Sequence, residues 1–365
     1  MKEEKILVTK PSLPPIEEFL SEVKDIWHNE WLTNKGPKHE MFSEKLKDYF
    51  GVKNISLFVN GHVALETVLE AFKIKGEVIT TPFTFVSTVN AIVRTGSKPI
   101  FCDIKEDDYT IDEEKIRRLI TKKTTAILPV HVYGNICDYE KIDRIAKEYH
   151  LKVIYDAAHA FGVKVNGVSV ASLGDASMLS FHATKVFNSI EGGCVVSDHK
   201  TIKDCDKLNN FGLADNDAEY IGTNAKMNEF QSAMGLCSLR YIDKWIECRK
   251  AIVEKYDKIL SGVSGIKLNK RKPNIQYNYA YYPVVFDGGI FGLSRDVVVE
   301  KLNAANIYPR KYFYPLINQM KVYKKFDSDL TPVAKSIASK ILTLPLYSAL
   351  SCEQADNVAK IILKK

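Results

Sequence analysis

The chain has 365 residues, 45% of them hydrophobic and 26% charged, with a net charge of +6, which is the composition of a soluble protein with one large core and room for a smaller domain. The lysine excess is scattered rather than clustered, so it argues against nucleic-acid binding and suits a solvated surface or a small anionic substrate. The seven cysteines (102, 137, 194, 205, 237, 248 and 352) form no CxxC pair, which argues against a disulfide framework or a zinc ribbon, and no apolar run reaches the ~20 residues of a membrane span.

The amino-terminal stretch MKEEKILVTKPSLPP lacks the apolar core of a secretion signal, and with the cysteine pattern this points to a cytoplasmic protein. Residues 54–59 (NISLFV) predict a strand, and Val63, Ala64, Leu65, Val68, Leu69 and Phe72 then form one helical face. Strands are predicted at 77–80, 98–104, 124–130 and 151–155, with a helix from about Phe85 and a stripe of Ile142, Ile145, Ala146 and Tyr149 on another. This alternation predicts an α/β fold with a mainly parallel central sheet and helices on both faces. Residues 226–260 predict one long helix or two joined ones. SGVSG (261–265) then marks a boundary between a large domain, 1–260, and a small α/β domain, 261–365. The small domain carries a strand at 279–286, a helix near 295–305 and a final helix opened by Ser351 and Gln354 at capping-box spacing.

Ligands of open parallel sheets sit beyond the carboxyl ends of the strands. After the first predicted strand comes Asn60-Gly61-His62 and a helix start, a place where backbone N–H groups can meet an anion. Asp156 follows strand 151–155, with two alanines and His159 after it. A carboxylate at a buried strand end is costly unless paired, and one such use is to keep a cofactor ring nitrogen protonated; a loop or capping role is the ordinary alternative. Lys185 lies between Ser180-Phe181-His182-Ala183-Thr184 and a glycine-containing turn ending at Gly193. Burial there would favour the neutral, nucleophilic amine of a Schiff-base lysine, although most lysines are simply exposed.

Taken in order, FVNGHVAL (58–65), TTPFTFVSTVNAI (80–92), VHVYGNICD (130–138), YDAAHAFG (155–162), SFHATKVFNSIEGG (180–193) and MNEFQSAMGL (227–236) resemble the successive motifs of the DegT-type sugar-nucleotide aminotransferases. RKYFYPL (310–316) and LPLY (344–347) extend the likeness over most of the chain. The resemblance implies an aspartate-aminotransferase-like architecture, fold type I, with pyridoxal 5′-phosphate as cofactor and its pyridoxamine form during turnover. It implies Lys185 as the Schiff-base lysine and proton carrier, Asp156 as partner of the pyridinium nitrogen and Phe85 against the ring face. Gly61, His62 and Ser180 fall at phosphate-binding positions, and His159 falls near the ring hydroxyl. Asn228 falls where the family reaches the phosphate of a neighbouring subunit, implying a homodimer with shared sites. His62 departs from the usual Ser or Thr. Trp31, Thr33, Arg310, Lys311 and Tyr312 fall in segments near the sugar-nucleotide pocket, with core packing or a basic surface loop as the alternatives. His182 is expected to pack in the core and His131 to be a hydrogen-bonded structural residue. No cluster has metal-ligand spacing, so no metal is expected.

WLTNKGP (31–37), the lysine segment and RKYFYPL look most like enzymes that act on dTDP-4-dehydro-6-deoxyglucose. The implied partners are that keto-sugar nucleotide and L-glutamate, and the implied product is dTDP-4-amino-4,6-dideoxyglucose for surface polysaccharide. Amination at C3 or use of a UDP or GDP carrier remains open. A sugar dehydratase of the same fold would carry His in place of Lys185, and a degenerate binding or sensor protein would have lost the Lys185–Asp156 pair.

Overall fold

Short aliphatic runs alternating with amphipathic helices bury both strand faces only when the strands lie side by side beneath the helices. The computed structural model, which describes residues 5–215 and 217–364, has that arrangement. It opens with β1 (Ile6–Leu7), α1 (Ile16–Asn29) and α2 (Pro37–Phe50). The alternating part follows: β2 (Ile55–Phe58), α3 (Gly61–Ala71), β3 (Glu77–Thr80), α4 (Val86–Arg94), β4 (Lys98–Phe101), β5 (Thr124–Ile127), α5 (Tyr139–Tyr149) and β6 (Lys152–Asp156). A hairpin of β7 (Lys164–Val165) and β8 (Val168–Ser169) precedes β9 (Ala176–Ser180) and β10 (Gly193–Val196). Helix α6 (Ile202–Leu208) and the hairpin of β11 (Leu213–Ala214) and β12 (Asp217–Ala218) lead to α7 (Glu229–Leu239) and α8 (Ile242–Leu260).

The central sheet has seven strands in the order β2-β10-β9-β6-β5-β3-β4. Its pairs are parallel except that β10 runs antiparallel to both β2 and β9. This keeps the carboxyl ends of β2, β6 and β9 on one edge, the edge that receives Asn60, Asp156 and Ser180. One face of the sheet is filled by Phe42, Phe161, Phe181 and Phe187, the rings of Phe161 and Phe187 stacking at 4.0 Å. The other is filled by α3, through Leu65, Val68 and Leu69.

The remaining chain forms β13 (Ile266–Leu268), β14 (Ile275–Gln276), β15 (Tyr282–Phe286), α9 (Gly288–Phe291), α10 (Arg295–Ala304), β16 (Ile307–Tyr308), α11 (Pro332–Lys340), β17 (Ile341–Leu344) and α12 (Cys352–Leu363). An antiparallel sheet β13-β15-β17 packs under α12. The turn at 261–265 requires its glycines: Gly262 and Gly265 have φ of 75° and 82°, and a Cβ on Gly265 would meet the Phe291 nitrogen at 2.3 Å. Ile252, Val253, Tyr256 and Leu260 of α8 belong to the core of this small sheet, and β1 pairs in parallel with β16. The packing therefore crosses residue 260 from both sides.

Most expected elements form within a residue or two of their predicted limits, but the strands expected at 98–104 and 124–130 end three residues early, at Phe101 and Ile127. The 226–260 segment is two joined helices. The strand expected from 279 begins at 282, because Tyr279 has φ 52° and the Ala280 N–H donates to Asn278 Oδ1. The final helix has both capping-box bonds, Gln354 N–H to Ser351 Oγ at 3.0 Å and Ser351 N–H to Gln354 Oε1 at 2.9 Å. Helices α1 and α2 were not anticipated. Ile16, Phe19, Leu20, Val23 and Trp27 of α1 do recur at helical spacing, and in the single chain Leu13, Ile16, Leu20 and Trp27 face solvent.

Helix α2 is held by a distant carboxylate. Glu229, 1% exposed, accepts from the Lys38 N–H at 2.7 Å and the His39 N–H at 3.0 Å, two of the orphan donors of the first turn. Glu229→Ala should lower stability by about 3 kcal/mol, since it strands two buried donors. Urea unfolding checks this, and a loss below about 0.5 kcal/mol, the range of an ordinary surface change, would refute the assignment.

Candidate active site

A cleft of about 440 Å³ opens where the carboxyl ends of β2, β6 and β9 meet residues from both ends of the chain. It gathers nine of the expected residues: Gly61, His62, Phe85, Asp156, His159, Ser180, Lys185, Arg310 and Tyr312. A wider groove of about 760 Å³ lies beside α5 at the opposite end of β6, where Lys147 pairs with Asp143 and Lys152 with Asp175. It holds none of the expected residues.

Asp156 ends β6 and is 5% exposed. Its Oδ2 accepts from Thr88 Oγ1 at 2.7 Å and its Oδ1 from the Ala158 N–H at 3.1 Å. Burial pushes its pKa above the ordinary carboxylate value, against the two hydrogen bonds and the nearby charges of Lys185 and His62. A carboxylate so held lacks a close positive partner, and a protonated ring nitrogen in the cleft would supply one.

The cradle for an anion lies at the start of α3. Asn60 caps the helix by accepting from the Val63 N–H at 2.9 Å, leaving the N–H groups of Gly61 and His62 at the cleft. Glycine is required here twice. A Cβ on Gly61 would lie 2.9 Å from Ser180 Cβ, and one on Gly193 would lie 2.7 Å from the Gly61 nitrogen. Both ring nitrogens of His62 are engaged sideways, Nδ1 with Ser87 Oγ at 2.9 Å and Nε2 with Glu66 at 3.0 Å. Glu66 in turn pairs with Arg94. In this arrangement His62 offers an anion its backbone N–H rather than its ring.

Lys185 lies on the half-buried turn after β9, its N–H donating to the His182 carbonyl at 2.9 Å. His159 is buried, and its Nδ1 accepts from the Tyr133 N–H at 3.1 Å. Burial, reinforced by the charges of Lys185 and Arg310, holds its pKa well below the usual imidazole value. The ring is thus neutral with its hydrogen on Nε2, ready to donate to an oxygen. Phe85, at the cap of α4, is 47% exposed and presents its ring to the cleft.

His182 does not pack in the core as expected. It lines the cleft, its Nε2 3.5 Å from Glu191 and its Nδ1 2.8 Å from Thr184 Oγ1, because the turn after β9 swings it outward. His131 is fully buried, stacked on Tyr155 at 4.6 Å, and burial pushes its pKa down to about 3.

Four expected residues lie outside this cleft. Lys311 pairs with Asp296 at 2.6 Å. Trp31 and Thr33 join each other through the Trp31 Nε1–H and the Thr33 carbonyl at 2.5 Å, and the adjoining Leu32 carbonyl accepts from the Glu229 N–H at 3.0 Å, next to Asn228. Asn228 caps α7 in a capping box with Gln231. Not anticipated from the sequence are Thr88, which holds Asp156, and, among the lining residues, Ser87, Glu191 and Tyr281, and also Val8 and Thr9. The last two are brought to the cleft by the Leu346 N–H donating to Val8 and by Asn188 Nδ2 donating to the Ser12 carbonyl. Only the spacing of Thr88 after Phe85, one helical turn into α4, could have pointed to any of them.

A flat, anionic, ring-nitrogen cofactor fits this donor set: Asp156 for the nitrogen, His159 for a ring oxygen, Phe85 for a face, Lys185 for an aldehyde, and the N–H groups of Gly61 and His62 with Ser180 for a phosphate. Among the described residues no group of three His, Cys, Asp or Glu side chains could hold a metal ion, all seven cysteines are free, and no helix is long and apolar enough to cross a membrane.

The model of the DegT/DnrJ/EryC1/StrS aminotransferase family matches residues 15–363. The chain is 45% identical over 371 residues to dTDP-4-amino-4,6-dideoxy-D-glucose transaminase of Escherichia coli, covering 100% of both chains. It is 43% identical to the enzyme of the same name from Shigella dysenteriae, over 99% of each. It is also similar to the crystal structure of DesI in the presence of its TDP-sugar product, with a TM-score of 0.95, 30% identity, and coverage of 99% of this chain and 94% of that one. A full-length likeness of this degree, over a cleft with this donor set, places the chain in the DegT/DnrJ/EryC1/StrS aminotransferase family.

Proposed function

We propose that this protein moves the amino group of L-glutamate to C4 of dTDP-4-dehydro-6-deoxy-D-glucose, giving dTDP-4-amino-4,6-dideoxy-D-glucose and 2-oxoglutarate, with pyridoxal phosphate as carrier. The observation that carries the reading is the buried Asp156 carboxylate facing the same cleft as Lys185. The 45% full-length identity to the Escherichia coli transaminase supports the choice of sugar.

When bound, the cofactor supplies an electron sink for the pair left behind as a substrate carbon gives up its proton. Asp156 makes that possible by holding a proton on the ring nitrogen, its two oxygens fixed by Thr88 and Ala158. His159 donates from Nε2 to the ring oxygen and keeps the ring from rotating. The N–H groups of Gly61 and His62, with Ser180, anchor the phosphate. Lys185 Nζ takes the proton from Cα of glutamate and later delivers one to C4 of the sugar. Tyr281 and Tyr312, whose rings lie 5.3 Å apart, wall the cleft against water.

Asn228, Trp31 and Thr33 lie together outside their own cleft. We assign them to the cleft of a second copy, in a homodimer with shared sites, which would also cover the exposed apolar residues of α1. The proposal includes a cytoplasmic location, with which the free cysteines accord.

An amination assay with L-glutamate and a panel of keto-sugar nucleotides, with products identified by NMR, tests the substrate. The 4-keto dTDP sugar should be used best and yield an amine at C4. Preference for a 3-keto sugar or for a UDP or GDP carrier would overturn this part. Asp156→Asn should slow turnover by about 100-fold, the factor corresponding to the ~3 kcal/mol lost with one partner of a buried pair. An unchanged rate would remove Asp156 from the mechanism.

A further inference from the structure

Both substrates must use one cleft by turns, and they differ in where they carry negative charge. The amino acid has a carboxylate bonded directly to the reacting carbon. In the sugar nucleotide, the pyranose ring holds the diphosphate at the opposite end from C4. A cation close to the reacting centre therefore serves the amino acid, and a cation for the diphosphate lies further out.

The cationic groups of the cleft are few. His62 is engaged with Glu66 and Ser87. His182 is engaged with Glu191 and Thr184. His159 is held neutral by burial. Lys185 is committed to the chemistry, and neighbouring Lys311 is tied to Asp296. Arg310 is left: among the described residues lining the cleft it is the permanent cation outside the chemistry that no carboxylate engages in an ion pair.

Its position is fixed by backbone. The Arg310 N–H donates to the Thr343 carbonyl at 3.1 Å. The Arg310 carbonyl accepts from the Thr343 N–H and the Thr343 hydroxyl, each at 2.9 Å. The guanidinium lies over the Tyr312 ring, 4.4 Å from its centroid, on the wall shared with Tyr281. The Tyr312 ring lies 6.1 Å from that of His159, and Lys185 lines the same cleft. Arg310 thus faces the reacting end of the cleft, and its planar fork matches a carboxylate in two parallel bonds.

The geometry points to Arg310 as the residue that binds the α-carboxylate of the amino donor, and so selects an amino acid for the first half of the reaction. This rests on the transaminase reading above and adds to it how the amine source is recognised. The face of Tyr312 holds the guanidinium while the keto-sugar, which has no charge at that point, occupies the cleft.

The test separates the two half-reactions on the pyridoxal-phosphate-loaded protein by rapid mixing, following the cofactor absorbance. Arg310→Met should raise the L-glutamate concentration needed for half-maximal conversion by about 100-fold, within the range for losing one partner of a desolvated charge pair. Arg310→Lys should recover part of that loss. The second half-reaction, in which the protein with its cofactor in the pyridoxamine form meets the keto-sugar nucleotide, should change by less than about threefold, well short of the loss of a charged partner. Calorimetric binding of glutarate, a dicarboxylate that cannot react, should weaken in Arg310→Met, giving a readout independent of turnover. An unaltered glutamate step in Arg310→Met, or an equal loss in the sugar step, would overturn the assignment while leaving the transaminase reading intact. A wild-type protein that L-glutamate fails to convert would instead overturn the donor reading, and this inference with it.

Discussion

The site depends on one costly feature, a carboxylate buried at the end of β6. Asp156 is drawn inward because β6 is flanked by β5 and β9 in the middle of the sheet, so its last residue meets little water beyond the cleft. Thr88 and the Ala158 N–H orient its two oxygens but bring no charge. Removing an ion from water is unfavourable unless an opposite charge replaces the lost hydration. A cationic ring nitrogen in the cleft would supply that charge, and the other lining groups fit a ring so placed.

The fold delivers those groups from separate parts of the chain. The parallel order of the sheet sets the starts of α3 and α4 and the ends of β6 and β9 along one edge. Gly61 and Gly193 let two backbones approach closely enough for the anion cradle to sit beside Ser180. The carboxyl-terminal sheet then brings Tyr281, Arg310 and Tyr312 over the opening, and the amino-terminal segment crosses beside them at Val8 and Thr9. The central sheet thus positions the residues proposed for the cofactor, and the later parts of the chain those proposed for the substrates.

Much of this was legible in the sequence. The strand-helix rhythm gave the parallel sheet, and the order of motifs marked Gly61, Asp156, Ser180 and Lys185. What escaped has physical reasons. Tyr281, Val8 and Thr9 acquire their places only through tertiary packing, which periodicity does not encode. His182 is expected in the core because the family it resembles accepts other aromatic residues there, yet the turn at Thr184 carries it out to Glu191. Trp31, Thr33 and Asn228, identified by likeness alone, lie beside one another but outside the cleft of their own chain.

The account comes down to a bond between one amine and one aromatic aldehyde in a single defined place. Borohydride reduction of the purified, cofactor-loaded protein, followed by peptide mass spectrometry, reads that bond directly. The phosphopyridoxyl group should be found on Lys185. Its attachment to another lysine, or its absence from every peptide of a protein saturated with pyridoxal phosphate, would contradict the account.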